Sequence, residues 1–233
     1  MPDPLKVVTT IAMQNVLQEL ESEFSQATGR GIEMVFGPPS KAVELVRAGE
    51  PADVVMTTPE GIDSLAAAGK VAAGSSRVVA HMIMGIAVRR GAPKPDIDTP
   101  EKFRQAMLDA KSLIHADPAS GSPSAAHFLK VARELGIADA IKGKTITRSG
   151  IVAHALAEGA AEIAIQQLSE LMMADGAEIV GPFPPELQNI VPLAAAVHAN
   201  AAAPEAAAAL IALLATPRAK AIIARAGLLA PAD

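Results

Sequence analysis

The 233-residue sequence has no cysteine, no tryptophan and no tyrosine, and only 5 phenylalanines. Without cysteine there are no disulfides, no thiolate nucleophile and no Cys-based zinc site, while the redox compartment is left open. With so few rings the chain cannot build stacking boxes for bases or sugars, so its ligand must be held by small polar groups and backbone. Positive charge is scarce as well: 20 Lys and Arg stand against 25 Asp and Glu, a formal charge of −5 with no basic run. A nucleic acid therefore finds no electrostatic foothold. No stretch approaches the roughly 20 uninterrupted apolar residues that span a bilayer, so no membrane insertion is expected. The start, Met1-Pro2-Asp3-Pro4, runs straight into an apolar strand and lacks the basic segment and apolar core of an export signal. The expected location is periplasmic if such a segment was trimmed, and cytoplasmic otherwise.

Apolar mass is abundant, at 50% of residues, enough for one sizeable core or two small ones. Short β-branched runs alternate with amphipathic segments, the pattern of βαβ units. Lys6 to Thr10 reads as a first strand, followed by a helix with Met13, Leu17, Leu20 and Phe24 on one face, ending near Gly29 or Gly31. Ile32 to Phe36 and Asp53 to Met56 are further strands, and Ser40 is the expected N-cap of the helix between them. Thr58-Pro59-Glu60, Thr99-Pro100-Glu101 and Thr216-Pro217 each combine a capping threonine with a proline where its missing N–H costs nothing. Strands are also expected at Ser112 to Ala116, Thr145 to Thr147, Glu162 to Ile165 and Glu178 to Val180, with two helices in the alanine-rich tail from Pro204 to Leu229.

Two apolar stretches, Arg77 to Arg89 and Ile190 to His198, exceed what one ordinary strand needs and enclose a complete α/β set. They predict two lobes joined by two hinge strands: residues 1–82 with 193–233, and 83–192, each a mostly parallel sheet flanked by helices. Ligands of open α/β sheets sit outside the carboxyl ends of the strands, so the strand-to-helix junctions are the places to inspect. They carry Thr9-Thr10, Pro39-Ser40, Thr57-Thr58, the turn Ser120 to Ser124 (with Ser122), and Arg148-Ser149-Gly150. One hydroxyl at a helix start is ordinarily only a cap. Repeated at five junctions, with free N–H groups and the positive helix end beside each, hydroxyls make a site for a small oxyanion or carboxylate.

The same residues carry a family resemblance. V-V-T-T, F-G-P-P-S-K-A, A-G-E-P-A-D-V-V-M, D-P-A-S-G-S, A-I-Q-Q-L-S-E and the tail A-L-I-A-L-L-A-T-P-R-A-K-A-I-I resemble, in order and over some 220 residues, the molybdate-binding-protein family of extracellular solute-binding proteins. The likeness is to a divergent branch that includes aconitate isomerases. It implies a type II periplasmic-binding fold whose lobes close on the ligand. By that resemblance the ligand is held by Thr9 or Thr10, by Ser40, and by donors of the Ser122 to Ser124 turn and Ser149. Gln167 stands where the family's molybdate-binding members have a tyrosine, and this departure favours a carboxylate with more than one polar end.

Among cationic groups, Arg148 has the fork geometry for a carboxylate, with a solvated surface role as the alternative. His81 and His115 lie where either could serve as a base, against the simpler reading of a satisfied buried histidine; His127, His154 and His198 read as structural. Asp117 reads as a brace for its loop. No metal motif, phosphate loop or nucleophile elbow is present, and no metal or cofactor is expected. Two functions follow. One is a monomeric binding protein delivering a small anion to an ABC permease. The other is an isomerase moving a proton across the allylic system of an unsaturated tricarboxylate, with His81 or His115 as base and hydroxyls stabilising the developing charge.

Overall fold

The structure, a computed structural model, describes residues 2–232, which divide into two compact units: unit 1 up to His81 and from Val191, and unit 2 from Met82 to Ile190. Unit 1 holds a six-stranded sheet built from β1 (Leu5–Thr9), β2 (Ile32–Phe36), β3 (Val54–Thr57), β4 (Arg77–Met82), β10 (Val191–Val197) and β11 (Leu228–Leu229), in the order β11-β4-β10-β3-β1-β2. Unit 2 holds five strands, β5 (Met84–Arg89), β6 (Leu113–Ala116), β7 (Thr145–Arg148), β8 (Ile163–Gln167) and β9 (Ala177–Pro182), in the order β7-β6-β8-β5-β9.

Both sheets are mixed, where the sequence pattern pointed to mostly parallel ones. β1 is parallel to β2 and β3, and β6 to β7 and β8, but β10 runs against β3, and β5 runs against both β8 and β9. The antiparallel members are strands next to which the chain passes from one unit to the other. The apolar stretch Arg77 to Arg89 is two strands in two different sheets, broken at Ile83.

Helices cover both faces of each sheet. In unit 1, α2 (Pro39–Ala48) and α3 (Pro59–Ala67) set Ala42, Val46, Ile62 and Leu65 against Val8, Val55, Ala194 and Ala196. Strand alternation sends Val7, Val54 and Met56 to the opposite face. On that side α1 (Gln14–Thr28) packs with α9 (Pro204–Leu214) and α10 (Pro217–Arg225). The expected stripe Met13, Leu17, Leu20 and Phe24 is fully buried, and α1 ends at Gly29 with φ 71°, a left-handed cap that glycine adopts without strain. α9 and α10 bend by 70°, and no single helix among the described residues is long and apolar enough to cross a membrane.

In unit 2, α4 (Pro100–Asp109), α5 (Pro123–Glu134) and α6 (Ala138–Lys142) cover a face made by Met84, Ile86, Leu113, Ile163 and Ile165. α7 (His154–Ala157) and α8 (Leu168–Leu171) cover the other, made by Ala87, Ile114 and Ala164. The Thr-Pro starts behave as their chemistry dictates: Thr58, Thr99 and Thr216 accept from the backbone N–H three residues on. Ser40 does not. α2 begins at Pro39 with Pro38 as its cap, so Ser40 lies inside the first turn and its exposed hydroxyl caps nothing. Proline at N1 needs no N–H partner and fixes φ for the helix, and here it sets the start one residue earlier.

Candidate functional site

Parallel pairing brings the carboxyl ends of β1, β2 and β3 to one edge of the unit 1 sheet, and those of β6, β7 and β8 to one edge of the unit 2 sheet. Nine polar or charged residues are buried among those described: Thr9, Thr10, Asp53, Thr57, His115, Ser124, Gln166, Gln167 and Ser169. All but Asp53 lie at these carboxyl ends or in the first turn of the helix that follows. A buried polar group costs free energy unless paired, so their concentration at two edges is not a packing accident.

In unit 1, Thr57 Oγ1 donates to the Pro39 carbonyl at 2.8 Å and pins the start of α2 to the end of β3. Thr9 Oγ1 reaches only the Thr10 carbonyl, at 3.5 Å, the outer limit of a hydrogen bond. Thr10 caps the turn Ile11–Met13 through its backbone, but its side chain caps nothing and its enclosed Oγ1 has no partner. Thr58 is engaged in capping α3.

In unit 2, the loop after β6 is braced from within. Asp117 Oδ1 accepts from Ala119 N at 2.9 Å and Ser120 Oγ donates to the Asp117 carbonyl at 2.6 Å, the bracing role that the sequence assigned to Asp117. Gly121, at φ 72°, then turns the chain into α5. Ser122 is the N-cap of α5, yet its hydroxyl lies 2.8 Å from that of Ser124 and makes no capping bond, so no side chain closes the first turn of this 12-residue helix. Gln166 is satisfied: its Nε2 donates to the Gly150 carbonyl at 2.8 Å and its Oε1 accepts from Val152 N at 3.0 Å. Its neighbour Gln167 is 4% exposed with Oε1 unpartnered, and Ser169 Oγ, two residues on, is likewise enclosed and alone. Gln167 stands opposite Met84, and Leu168 N donates to the Ile83 carbonyl at 2.8 Å, so these groups sit where the chain enters the unit.

The remaining expected residues are placed less closely. Arg148 ends β7 on the surface, and its guanidinium donates to Glu158 at 2.6 Å; Ser149 follows it, exposed. His115 is 3% exposed, donates Nδ1–H to the Ala116 carbonyl at 2.7 Å and lies against Phe128 with ring centroids 5.2 Å apart. Desolvation holds its pKa below the usual value, leaving a neutral ring. That geometry is the satisfied buried histidine. His81 is half-buried at the end of unit 1. His127 meets the Leu187 carbonyl at 2.7 Å.

Sequence reasoning passed over Ser169 and Gln166, although two consecutive glutamines closing an apolar strand are a readable signal. It also passed over Glu170, whose half-buried carboxyl makes no hydrogen bond and is pushed by desolvation up to about 7. Among the described residues no three His, Asp or Glu gather as metal ligands do. Two open grooves, of about 530 and 650 Å³, lie at the opposite ends of the sheets, beside Arg77 and Val197 in unit 1 and beside Arg89 and Ile163 in unit 2. Both are remote from the polar edges along the strands that line them.

Two α/β units with mixed sheets flanked by helices, and polar groups gathered at the strand ends, define a periplasmic-binding type of protein. The chain belongs to the bacterial extracellular solute-binding protein family, whose pattern it matches over residues 5–229. It is 31% identical over 229 residues to an aconitate isomerase of a Pseudomonas species, covering 96% of this chain and 87% of that one. Its fold is similar to that of the Azotobacter vinelandii periplasmic molybdate-binding protein, with TM-score 0.78, 22% identity and coverage of 98% and 100%. It is also similar to that of a sulfate-binding protein from Mycobacterium tuberculosis, with TM-score 0.72, 19% identity and coverage of 98% and 86%.

Proposed function

We propose that the protein binds a small oxyanion or carboxylate with donors from the polar strand ends of both units, and closes on it. The observation that carries this reading is a pair of enclosed side chains with unpartnered oxygens, Thr10 in unit 1, whose hydroxyl can donate to an anion, and Gln167 in unit 2, whose amide N–H can donate to the anion while its Oε1 accepts from a hydroxyl or protonated end of the ligand. Leaving such an atom unsatisfied costs about 1–3 kcal/mol, a cost that a ligand relieves. Ser122 and Ser124 add hydroxyls and uncapped N–H groups at the start of α5, and Ser40 an exposed hydroxyl in the first turn of α2. Thr58, Ser120 and Arg148 contribute less, because cap, loop and Glu158 already engage them. An amide at Gln167 offers both donor and acceptor, which suits a carboxylic ligand with several polar ends. A periplasmic location, which the extracellular character of the family supports, belongs to the same reading, as do delivery to an ABC permease and a monomeric state.

Isothermal titration with molybdate, sulfate, citrate and trans-aconitate tests it. At least one is expected to bind with micromolar affinity or better, and Thr10→Val and Gln167→Leu should each weaken it at least tenfold. Absence of binding to all four, or affinities untouched by both substitutions, refutes the site.

A second reading is favoured by the identity to an aconitate isomerase along 96% of the chain. The same site then holds an unsaturated tricarboxylate and shifts a proton across its allylic system. Incubation with trans-aconitate in D₂O followed by NMR decides it: deuterium entering the vinyl or methylene positions supports the isomerase, and its absence leaves a binding protein.

A further inference from the structure

We propose that Glu170 is the base of that allylic proton shift, taking a proton from the methylene carbon of an unsaturated tricarboxylate and returning it to the far vinyl carbon. This rests on the isomerase reading of the site. Three polar side chains within four residues, Gln167, Ser169 and Glu170, follow the end of β8, and none has a hydrogen-bond partner for its oxygen. Gln167 and Ser169 are 4% and 3% exposed, so two enclosed and unmatched groups immediately precede the carboxylate in the chain. α8 is held firmly: Leu168 packs on Gly85, where a Cβ would lie 2.6 Å from Leu168 Cδ1, and Leu171 is buried in the core of that face. Leu168 and Leu171 thus anchor the helix to the sheet, and residues between them on a helix point away from it.

Four other acids of unit 2 are held in ion pairs. Asp96 pairs with Lys102, Glu178 with Lys94, Glu162 with Lys111 and Glu158 with Arg148. Glu170 has no cation, so nothing fixes its charge, and desolvation brings its pKa to about 7, where both protonation states coexist near neutrality. An anionic ligand beside it is tolerated because the acid can be neutral. The alternative base, His115, already spends its Nδ1–H on Ala116 under Phe128.

The step balances without a co-reactant. A methylene C–H bond breaks, the proton passes to a Glu170 oxygen, and the electron pair enters the allylic system as a dienolate. The protonated carboxyl, which exchanges its proton with solvent while the dienolate lasts, then gives a proton to the far carbon, where a C–H bond forms as the double bond moves. Hydroxyl and N–H donors lower the energy of the dienolate.

The test compares the wild type with Glu170→Gln and Glu170→Asp by NMR exchange in D₂O and by titration with trans-aconitate, with thermal melts to check folding. The expected result is a loss of exchange of at least 100-fold in Glu170→Gln with affinity within about threefold. Glu170→Asp should retain part of the rate, and the wild-type rate should rise with pH through a limb near 7 that moves in Glu170→Asp. Exchange in Glu170→Gln within threefold of wild type overturns the assignment. Wild-type binding without exchange overturns it too while leaving the binding function intact, whereas no binding overturns both together.

Discussion

The hydroxyls of Ser122 and Ser124 face each other at 2.8 Å at the start of α5, and neither is used on the helix's own backbone. The pair therefore leaves the first-turn N–H groups available and holds two hydroxyls in a defined orientation. Ser124→Ala removes the partner of Ser122 and should weaken anion binding about tenfold or more. The loss of stability should stay near 1 kcal/mol, since one neutral hydrogen bond is at stake. Titration calorimetry and a thermal melt on the same sample check both.

Arg148 should matter little. Its guanidinium and the Glu158 carboxylate, 2.6 Å apart, are 44% and 53% exposed, and exposed pairs contribute about 0–1 kcal/mol. Arg148→Ala is expected to change unfolding free energy by less than about 1 kcal/mol and ligand affinity by less than threefold. An affinity loss of tenfold or more would give Arg148 a direct role at the ligand.

Gly85 is the position where added bulk should disturb the site from behind. A methyl there meets Leu168 Cδ1 at 2.6 Å, the Gly181 carbonyl at 3.1 Å and Leu168 Cβ at 3.3 Å, so the Leu168 side chain must turn aside and α8 or β9 give slightly. Overpacking of this kind costs about 1–3 kcal/mol. Gly85→Ala should lower the denaturation midpoint and, by displacing Ser169 and Glu170, reduce ligand affinity. Unchanged affinity at reduced stability would show that α8 lies outside the site.

Asp53 gives the structural contrast. It is buried, and its carboxylate accepts from Lys6 N at 2.9 Å and Ala203 N at 3.0 Å, joining β1 to the approach to α9. Asp53→Ala orphans both donors and should cost about 2–4 kcal/mol in denaturant titration. Ligand affinity measured well below the melting temperature should be retained.

The pH dependence of stability has a definite sign. Glu170 has a folded pKa of about 7, raised from 4.5, so the folded state holds its proton more tightly than the unfolded state does. Its favourable contribution is complete below about 4.5 and is lost as pH rises toward 7. Glu170→Gln, which stays neutral, should therefore be more stable than wild type at pH 8 by about 1–3 kcal/mol and equal to it at pH 4. His115 acts at the acid side: its lowered pKa means that protonation in the unfolded state erodes stability as pH falls through 6.5. Denaturant melts of the wild type and Glu170→Gln across pH 4–8 check the first effect, and a constant difference between them would contradict it.

Much of the architecture is legible in the residues. The 3- and 4-residue spacing of Met13, Leu17, Leu20 and Phe24 marks a buried helix face, and Thr-Pro marks three helix starts, because both signals are local. The junction hydroxyls were legible for the same reason. Which of them are free was not. Thr58 and Ser120 are consumed within three residues of themselves, whereas Thr10, Gln167 and Ser169 are enclosed without partners, and nothing in their local sequence separates the two groups. The direction of β5 and β10 was equally hidden, since an apolar strand buried on both faces reads alike in parallel and antiparallel pairing.

The sequence by itself determined the α/β elements, their caps and the absence of thiol and aromatic-box chemistry, because periodicity and composition act over a few residues. Only the tertiary structure decided that eight of the nine buried polar residues among those described gather at the carboxyl edges of two sheets, and that the Glu170 carboxyl is desolvated. Burial and hydrogen-bond satisfaction depend on segments far apart in the chain, and those meet only when the strands pair.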